Sequence, residues 1–278
     1  MMSNQRNPQR AEKQAKPLLE IRGLKTWYPI KKGVFARTVG HIHAVDGVDL
    51  DLFHGETLGI VGESGCGKTT LARTILRLER PQHGTIMFNN INIFSLRGKA
   101  LLNYRRAVQV VFQDPQESLN PRHTVLDLIT EAMLVHHLAT RENRRDVAVR
   151  LLEEVGLAGD FLDRYPHAFS GGQRQRICIA RALALNPQIL ICDEAVSALD
   201  LSVRAQVLNL LEELKERHGM SYLFITHDIG VVQHIADRIA VMHAGKIVEY
   251  GAAEQVLNNP QHDYTKTLLA AVPTLKRN

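Results

Sequence analysis

One segment of the chain combines glycines with a lysine and a threonine at a spacing that suits phosphate binding. It occupies residues 62–70, reads GESGCGKTT and matches the pattern G-x-x-x-x-G-K-[ST]. The strand-like run TLGIV precedes it and the helix-like run LARTILRL follows it, which is the context that this pattern requires. Its glycines allow successive backbone N–H groups to converge on phosphate oxygens, and the helix start adds its dipole. We therefore expect a site for the phosphates of a nucleotide.

The polar side chains of this segment have distinct expected roles. Lys68 is expected to reach the β- and γ-phosphates of a nucleoside triphosphate, and the Thr69 hydroxyl is expected to bind Mg²⁺. The other candidate nucleotide-binding residues here are Gly62, Glu63, Ser64, Gly65, Cys66, Gly67 and Thr70. An ordinary glycine-rich turn is the alternative, but strand, loop, Lys-Thr pair and helix are all in register. The sequence contains no Asn-Lys-x-Asp segment for guanine recognition, so ATP is the expected nucleotide.

Polar residues also follow three other strand-like runs. In ILICDE, Asp193 fits a carboxylate that holds Mg²⁺, and Glu194 fits a general base for the attacking water. Two acids after a strand could instead cap the next helix; the phosphate segment favours the catalytic interpretation. Gln113 in VVFQDP could contact both Mg²⁺ and the water, and His227 in LFITHD could hydrogen-bond the γ-phosphate. The alternative for Gln113 is an ordinary polar residue at the end of a strand, and the alternative for His227 is a structural histidine.

A further segment, HAFSGGQRQR, begins a helix with two glycines, Gly171 and Gly172. Glycine costs a helix about 1 kcal/mol relative to alanine, so this start needs a reason. Ser170 and Gln173 have the spacing of a capping box, which does not require glycine between them. Bare backbone N–H groups at a helix start allow an anion to come close. Because residues 62–70 already supply one phosphate site, we expect this second site to receive a γ-phosphate bound by another subunit.

These residues must be held by a sheet with helices packed around it. Short apolar runs alternate with amphipathic helical stretches, which predicts an α/β fold with a largely parallel, covered sheet. The apolar runs are 57–61, 108–112, 189–192, 222–225 and 238–242. A helical block at 124–156 falls between two of these strands and predicts an inserted helical subdomain. The segment SVRAQVLNLLEELKERHG predicts a helix that stops at Gly219, and IAVMHAGKIVEYG predicts a hairpin turning at residues 244–245.

Composition and length exclude several classes of protein. The chain has 278 residues and a net charge of +5, and its longest apolar run, at 268–272, is five residues. A bilayer crossing needs about 20 residues, so the chain is not expected to span a membrane alone. Residues 1–17 are polar and basic without an apolar core, which predicts a disordered arm and no secretory signal. Basic residues are spread along the sequence, and nucleic acid is not an expected partner.

Together these segments resemble the ATP-binding cassette (ABC) ATPases, with the elements in the family's order over residues 18–251. The resemblance also rests on Tyr28 in TWYP and on SALD, which ends at Asp200. It implies a P-loop NTPase core with an N-terminal antiparallel β subdomain and a helical subdomain at about 114–172. Tyr28 is then expected to stack on adenine in preference to Trp27, which precedes the aligned position. The residues expected to bind ATP from the second subunit are Ser170, Gly171, Gly172, Gln173 and Asp200.

Finer features resemble the oligopeptide, dipeptide and nickel importer branch of this family. They are the stretches YPIKKGVFARTVGHIHAVDGV, FQDPQESLNPRHTV and CDEAVSALDLSVRAQVLNLL, and a tail at 252–278 that contains HDYTKTLLAAVP. Two positions depart from the family's pattern. Phe169 replaces the usual leucine before SGGQ, and Asp263 replaces the proline of the branch's His-Pro-Tyr-Thr motif. Since the residue at 169 packs and does not touch phosphate, we expect no loss of activity from that change.

The branch implies an ATP-hydrolysing subunit that energises the import of peptides or a related small solute. Its implied partners are a second ABC ATPase subunit of the same or another sequence, two integral membrane permease subunits and, indirectly, an extracytoplasmic solute-binding protein. Its implied location is the cytoplasmic face of the bacterial inner membrane, as a peripheral protein. The ATPase-like component of a soluble carbon–phosphorus lyase complex is the alternative. A module that binds ATP without hydrolysis is a third interpretation, which the intact Glu194 argues against.

Overall fold

A computed structural model describes residues 16–33 and 37–271, so almost all of the predicted N-terminal arm lies outside the described residues. Within these ranges the chain forms ten strands and ten α-helices. The strands are β1 (Leu19–Lys32), β2 (Arg37–Leu52), β3 (Thr57–Val61), β4 (His83–Phe88), β5 (Ile91–Asn92), β6 (Val108–Val111), β7 (Ile189–Asp193), β8 (Ser221–Thr226), β9 (Arg238–His243) and β10 (Lys246–Ala252). The helices are α1 (Lys68–Ile75), α2 (Gly98–Ala107), α3 (Pro115–Ser118), α4 (Val125–Val135), α5 (Arg144–Glu154), α6 (Gly171–Leu183), α7 (Leu201–His218), α8 (Ile229–Ile235), α9 (Ala253–Asn258) and α10 (Asp263–Ala270).

The larger of the two described sheets has the strand order β10-β9-β3-β8-β7-β6. Its strands β9, β3, β8, β7 and β6 are parallel to their neighbours, and β10 pairs antiparallel with β9. Strands β3, β7 and β8 are buried along their whole length, which explains why their sequences are continuous apolar runs. All five runs predicted as strands are strands of this sheet. The predicted α/β fold with a largely parallel sheet is confirmed.

The smaller sheet is antiparallel, with the order β2-β1-β4-β5, and it corresponds to the expected N-terminal β subdomain. Strands β1 and β2 pair along most of their length, and one of the irregularities in their register lies beside residues 62–70. Thr26 pairs with Val45, but the next residue, Trp27, pairs with His43. Ala44 is therefore the extra residue of a β-bulge, which bends the strand locally.

Helices α3, α4, α5 and α6 lie between β6 and β7, where the sequence predicts inserted helices. Leu151, Leu152 and Val155 are buried, as their shared helical face predicts, and they join one apolar cluster with residues of α6 and α7. Helix α7 ends at Gly219, whose left-handed φ of 63° supplies the predicted stop. Residues 244 and 245, with φ of 45° and 82°, form the predicted turn of the β9–β10 hairpin.

The C-terminal helices pack back onto the larger sheet. Val256 of α9, together with the half-buried Tyr264 and Leu268 of α10, contacts a cluster formed with β9 and α8. Helix α10 begins at Asp263, and the Asp263 carboxylate pairs with Lys266 Nζ at 3.0 Å. Proline is favoured at the first position of a helix and aspartate in its first turn, so this substitution preserves the helix start. No helix within the described ranges is both long and apolar enough to cross a membrane.

Candidate functional site

A cavity of about 630 Å³ opens where the carboxyl ends of the parallel strands meet. Open α/β sheets bind ligands at this edge. The cavity is lined by Ala44, Gly62, Glu63, Ser64, Gly65, Gly67, Lys68, Thr69, Thr70, Gln113, Glu194, His227 and Leu268. Four segments that the sequence analysis singled out separately are thus brought together. The bulged Ala44 and the C-terminal Leu268 are lining residues that no sequence pattern indicated.

The loop at residues 62–70 is shaped to leave backbone donors at the start of α1. Gly67 has a left-handed φ of 113° and packs against the Ala44 carbonyl, leaving no room for a Cβ. No side chain caps α1, so its first N–H groups are available to an anion. Lys68 is only 4% exposed, and its Nζ donates hydrogen bonds to the carbonyls of Gly62 at 2.7 Å and Glu63 at 2.8 Å. Phosphate oxygens can take the place of these two carbonyl acceptors.

Asp193, at the end of β7, is a buried carboxyl group beside a hydroxyl group. It is 5% exposed and accepts a hydrogen bond from Thr69 Oγ1 at 3.4 Å. Burial raises the pKa of the Asp193 carboxyl; the Thr69 bond opposes this shift, and the charge of Glu194 adds to it. Gln113, exposed after β6, lines a groove together with Thr69 and Asp193. This donor set of hydroxyl, carboxylate and amide oxygens fits Mg²⁺, which prefers oxygen ligands.

Glu194 has an unusual backbone conformation and a histidine partner. Its φ is 51°, in the left-handed region that residues other than glycine seldom adopt. The conformation is held by the Glu194 N–H, which donates to the Ile225 carbonyl at 2.8 Å, and by Ser197, whose hydroxyl donates to the Glu194 carbonyl at 2.9 Å. Glu194 Oε2 lies 3.2 Å from His227 Nδ1. The two side chains are therefore within hydrogen-bond reach of each other at the wall of the cavity.

The segment SGGQ stands at the exposed start of α6. Ser170 Oγ accepts a hydrogen bond from the Gln173 N–H at 3.3 Å, and Gln173 Oε1 accepts one from the Ser170 N–H at 3.0 Å, so the capping box is present. A Cβ at Gly171 would meet open space, whereas a Cβ at Gly172 would lie 2.5 Å from Val203 Cγ1 of α7. Packing against Val203 therefore explains the glycine at position 172 without any phosphate. The sequence alone did not indicate this contact.

The remaining candidate residues stand apart from the cavity lining. Trp27 stacks on His43 with ring centroids 4.3 Å apart, and strand alternation places Tyr28 on the opposite face, with Thr26. That face is directed towards α1, because Thr26 Oγ1 lies 3.1 Å from Thr74 Oγ1. Asp200 is exposed at the start of α7. For the part of the chain that the structure describes, the lining includes neither Tyr28, nor Asp200, nor residues 170–173.

The contacts of two arginines in this region were missed by sequence reasoning. Arg181, near the end of α6, donates a hydrogen bond to the Ser118 carbonyl at 2.6 Å and so links the helix after SGGQ to the segment after Gln113. Arg204 of α7 pairs with Asp228 at 2.7 Å and donates to the Leu199 carbonyl at 3.3 Å. These bonds join residues that are distant in sequence, and no local pattern signals them.

Comparison with known proteins agrees with this geometry. A family model described as ABC transporter matches residues 45–197. The chain belongs to the ABC transporter family. A second model, described as the oligopeptide/dipeptide transporter C-terminal region, matches residues 248–278. The predicted family, the cassette fold and the assignment as an ATP-binding ATPase are confirmed.

Curated relatives and solved structures of other proteins match this ABC chain over most of its length. The oligopeptide transport ATP-binding protein AppF of Bacillus subtilis (strain 168) is 51% identical over 94% of this chain and 79% of its own length. The glutathione import ATP-binding protein GsiA of Pectobacterium atrosepticum is 50% identical over 93% of this chain, which spans only 42% of GsiA. The ATP-binding cassette MJ0796, solved as a dimer in a post-hydrolysis state with ADP and Pi, matches with a TM-score of 0.74 and 31% identity. That match covers 84% of this chain and 98% of MJ0796.

Proposed function

We propose that this chain is the ATP-binding and hydrolysing subunit of an ABC importer for peptides or a related small solute. The observation that carries the proposal is the single cavity in which the phosphate loop, Gln113, Glu194 and His227 meet. The transport roles in the names of AppF and GsiA support the choice of solute class. The proposed domain division is an ATPase domain at 18–251, with a helical subdomain at 114–172, and a tail at 252–278.

Nucleotide binding is assigned to the loop and to Tyr28. Backbone N–H groups of residues 62–70 and the Lys68 ammonium hold the phosphates, and Tyr28 stacks on adenine from the face of β1 that is directed towards α1. Thr69, Gln113 and Asp193 are the proposed side-chain ligands of Mg²⁺. When bound, Mg²⁺ neutralises charge on the β- and γ-phosphates.

The chemical step is assigned to Glu194 and His227. The Glu194 carboxylate accepts a proton from a water molecule while the water oxygen attacks the γ-phosphorus in line. The bond between that phosphorus and the β–γ bridging oxygen breaks, leaving ADP and inorganic phosphate. His227, whose Nδ1 is 3.2 Å from Glu194 Oε2, orients the carboxylate and lies at the cavity wall, where the γ-phosphate is expected.

A second subunit is needed to complete each site. Gly171 is exposed with open space around it, and residues 170–173 belong to a helix start outside the described cavity lining. We assign these residues and Asp200 to the γ-phosphate side of a neighbouring ATPase subunit in a head-to-tail pair. Two permease subunits then dock, one on each ATPase subunit, near Gln113 and the helical subdomain, at the outer part of the groove that carries Glu117 and Arg181. An extracytoplasmic solute-binding protein supplies the cargo. The proposed location is the cytoplasmic face of the bacterial inner membrane.

The carbon–phosphorus lyase alternative is not favoured, because the C-terminal match and the named relatives are transport proteins. Co-purification separates the two interpretations. Integral membrane partners are expected for an importer subunit, and recovery with a soluble phosphonate-processing complex would contradict the proposal.

The test of the proposed chemistry is the substitution Glu194→Gln. It removes the proton acceptor but keeps the side-chain shape, so we expect the hydrolysis rate of the assembled transporter to fall by at least about 100-fold. ATP binding should persist, and ATP-trapped dimers should accumulate in size-exclusion chromatography. Glu154→Gln is the matched control, because Glu154 forms a comparable pair with His218 at 3.0 Å outside the cavity. Unchanged turnover in the Glu194 variant would exclude Glu194 as the base.

A further inference from the structure

The C-terminal helix α10 contacts the phosphate-binding loop directly. The Tyr264 hydroxyl oxygen accepts a hydrogen bond from the backbone N–H of Glu63 at 3.1 Å. Leu268, about one helical turn later, lines the cavity. The tail thus adds one polar and one apolar contact to a site that is otherwise formed by the ATPase core.

Tyr264 is held in position from several sides. Its ring packs against His243, at the end of β9, with ring centroids 4.0 Å apart. Glu249 of β10 accepts hydrogen bonds from the N–H groups of Gln261 at 2.8 Å and His262 at 3.0 Å. His262 Nδ1 in turn accepts the Tyr264 N–H at 3.1 Å. The Glu249 carboxylate therefore fixes the turn before α10, and that turn fixes where the Tyr264 side chain begins.

Glu63 is bonded on both of its peptide groups. Its N–H donates to the Tyr264 hydroxyl, and its carbonyl accepts hydrogen bonds from the Lys68 ammonium at 2.8 Å and from the Cys66 N–H at 3.3 Å. When nucleotide binds, Lys68 has to leave this carbonyl for the phosphates, and one of the three hydrogen bonds to the Glu63 backbone is lost. The Tyr264 bond involves no phosphate-binding side chain of the loop, so it can persist through that exchange.

We propose that Tyr264 is a positioning residue for the nucleotide, holding Glu63 in the loop conformation that receives the phosphates. The inference rests on the proposed function of the cavity. A loop that is ordered before binding loses less conformational freedom when the ligand arrives, so nucleotide affinity is the quantity that Tyr264 controls. The chemical step, which we assign to Glu194 directly after β7, is left unchanged.

The test is Tyr264→Phe in the full chain, which removes only the hydroxyl group. We expect the Kd for MgADP and the KM for MgATP to rise about three- to tenfold, the range of a single hydrogen bond. The kcat should stay within about twofold, since Tyr264 does not touch the reacting atoms. Amide exchange at Glu63 without nucleotide should accelerate.

Tyr250→Phe is the matched control. The Tyr250 hydroxyl also bonds the backbone of one residue, Asp51, by accepting its N–H at 3.2 Å and donating to its carbonyl at 2.9 Å, but it lies outside the cavity lining. We expect this variant to lower the Tm and to leave the KM for MgATP unchanged. A rise in KM equal to that of the Tyr264 variant would show that the effect is general destabilisation, and the proposal would be wrong.

Glu249→Gln provides an independent second variant, because it keeps the side-chain size but removes one of the two acceptors that anchor α10. We expect a smaller rise in the KM for MgATP, and no additional rise when Glu249→Gln is combined with Tyr264→Phe. If Tyr264→Phe does not fold, an unchanged KM in Glu249→Gln overturns the proposal. Wild-type Kd and KM in a folded Tyr264→Phe variant overturn it while leaving the proposed function intact; retained turnover in Glu194→Gln overturns the proposed function instead.

Discussion

Two neighbouring carboxyl groups at the end of β7 differ in their surroundings. Asp193 is buried beside Thr69, and burial raises the pKa of its carboxyl group. Glu194 is more exposed and reaches His227 from a left-handed backbone conformation. Pairs of titratable groups in contrasting environments are typical of acid–base sites. This difference in surroundings supports the proposed division of roles, in which Asp193 would bind Mg²⁺ and Glu194 would accept a proton.

The burial of Asp193 predicts a conflict between stability and activity. Asp193→Asn keeps an oxygen to accept the Thr69 hydrogen bond but removes the buried charge, so without Mg²⁺ we expect a gain of about 1 kcal/mol in unfolding free energy. Thermal unfolding measures this gain, and Mg²⁺-dependent hydrolysis should be lost. Asp160→Asn, at an exposed pair with Arg164, is the control and should change the Tm little.

The same substitution has a predictable pH dependence. Because the pKa of Asp193 is higher in the native state, the carboxyl group ionises at a lower pH in the unfolded chain than in the folded one. As pH rises from the unfolded-state pKa to the native pKa, the stability of the wild type should therefore fall relative to that of the variant. Below about pH 3, well under the ordinary aspartate pKa, the carboxyl group is neutral in both states, and the stability gap should close. A gap that widens on acidification would contradict the assignment of a buried, destabilising charge.

At the scale of elements, local sequence patterns predicted the strands and helix ends that are determined by burial and turn chemistry. The continuous apolar runs of β3, β7 and β8 and the helix stop at Gly219 were predictable because burial and turn chemistry leave a direct mark on the sequence. The bulge at Ala44 and the contact of Tyr264 with the loop were not predictable in this way. Both depend on the pairing of segments that are far apart along the chain. The candidate catalytic residues were recognised from motifs, but not the bonds that orient them.

The two glycines at the start of α6 can be separated by experiment. Gly171→Ala meets open space within the chain, so we expect unfolding free energy to stay level or rise by up to about 1 kcal/mol. Hydrolysis should nevertheless fall by at least about tenfold, because the added methyl group keeps the partner's γ-phosphate from the backbone N–H groups. Thermal unfolding and steady-state ATPase assays measure the two effects. Wild-type hydrolysis in this variant would remove the case for a phosphate site at SGGQ.

Gly172 supplies the contrasting result. Gly172→Ala brings its Cβ to 2.5 Å from Val203 Cγ1, so we expect a loss of about 1 to 3 kcal/mol in unfolding free energy from overpacking. Adding Val203→Ala should recover most of that loss if the clash is its source. Failure of the second substitution to restore the Tm would place the cause elsewhere in α6.

At the scale of the whole molecule, the chain carries two partial sites on different surfaces. The cavity holds the phosphate loop and Glu194, and the exposed start of α6 holds residues 170–173. Under the proposed function, neither surface alone is a complete site for hydrolysis. The proposed head-to-tail pair would complete two sites at once, because each subunit would offer its cavity to the other's SGGQ segment. Specific activity of the isolated chain should therefore rise with protein concentration until the pair is saturated.

Complementation between two inactive variants tests this arrangement most directly. Lys68→Ala disables the phosphate loop of its own chain, and Gly171→Glu places a negative charge where the partner's γ-phosphate must come. Each variant alone has no intact site, but a mixed pair combines an intact loop from one chain with an intact SGGQ segment from the other. Random exchange in an equimolar mixture should restore about a quarter of wild-type hydrolysis, because half of the pairs are mixed and each has one working site. If the wild-type chain hydrolyses ATP and the mixture stays inactive, the SGGQ segment does not act across two copies of this chain.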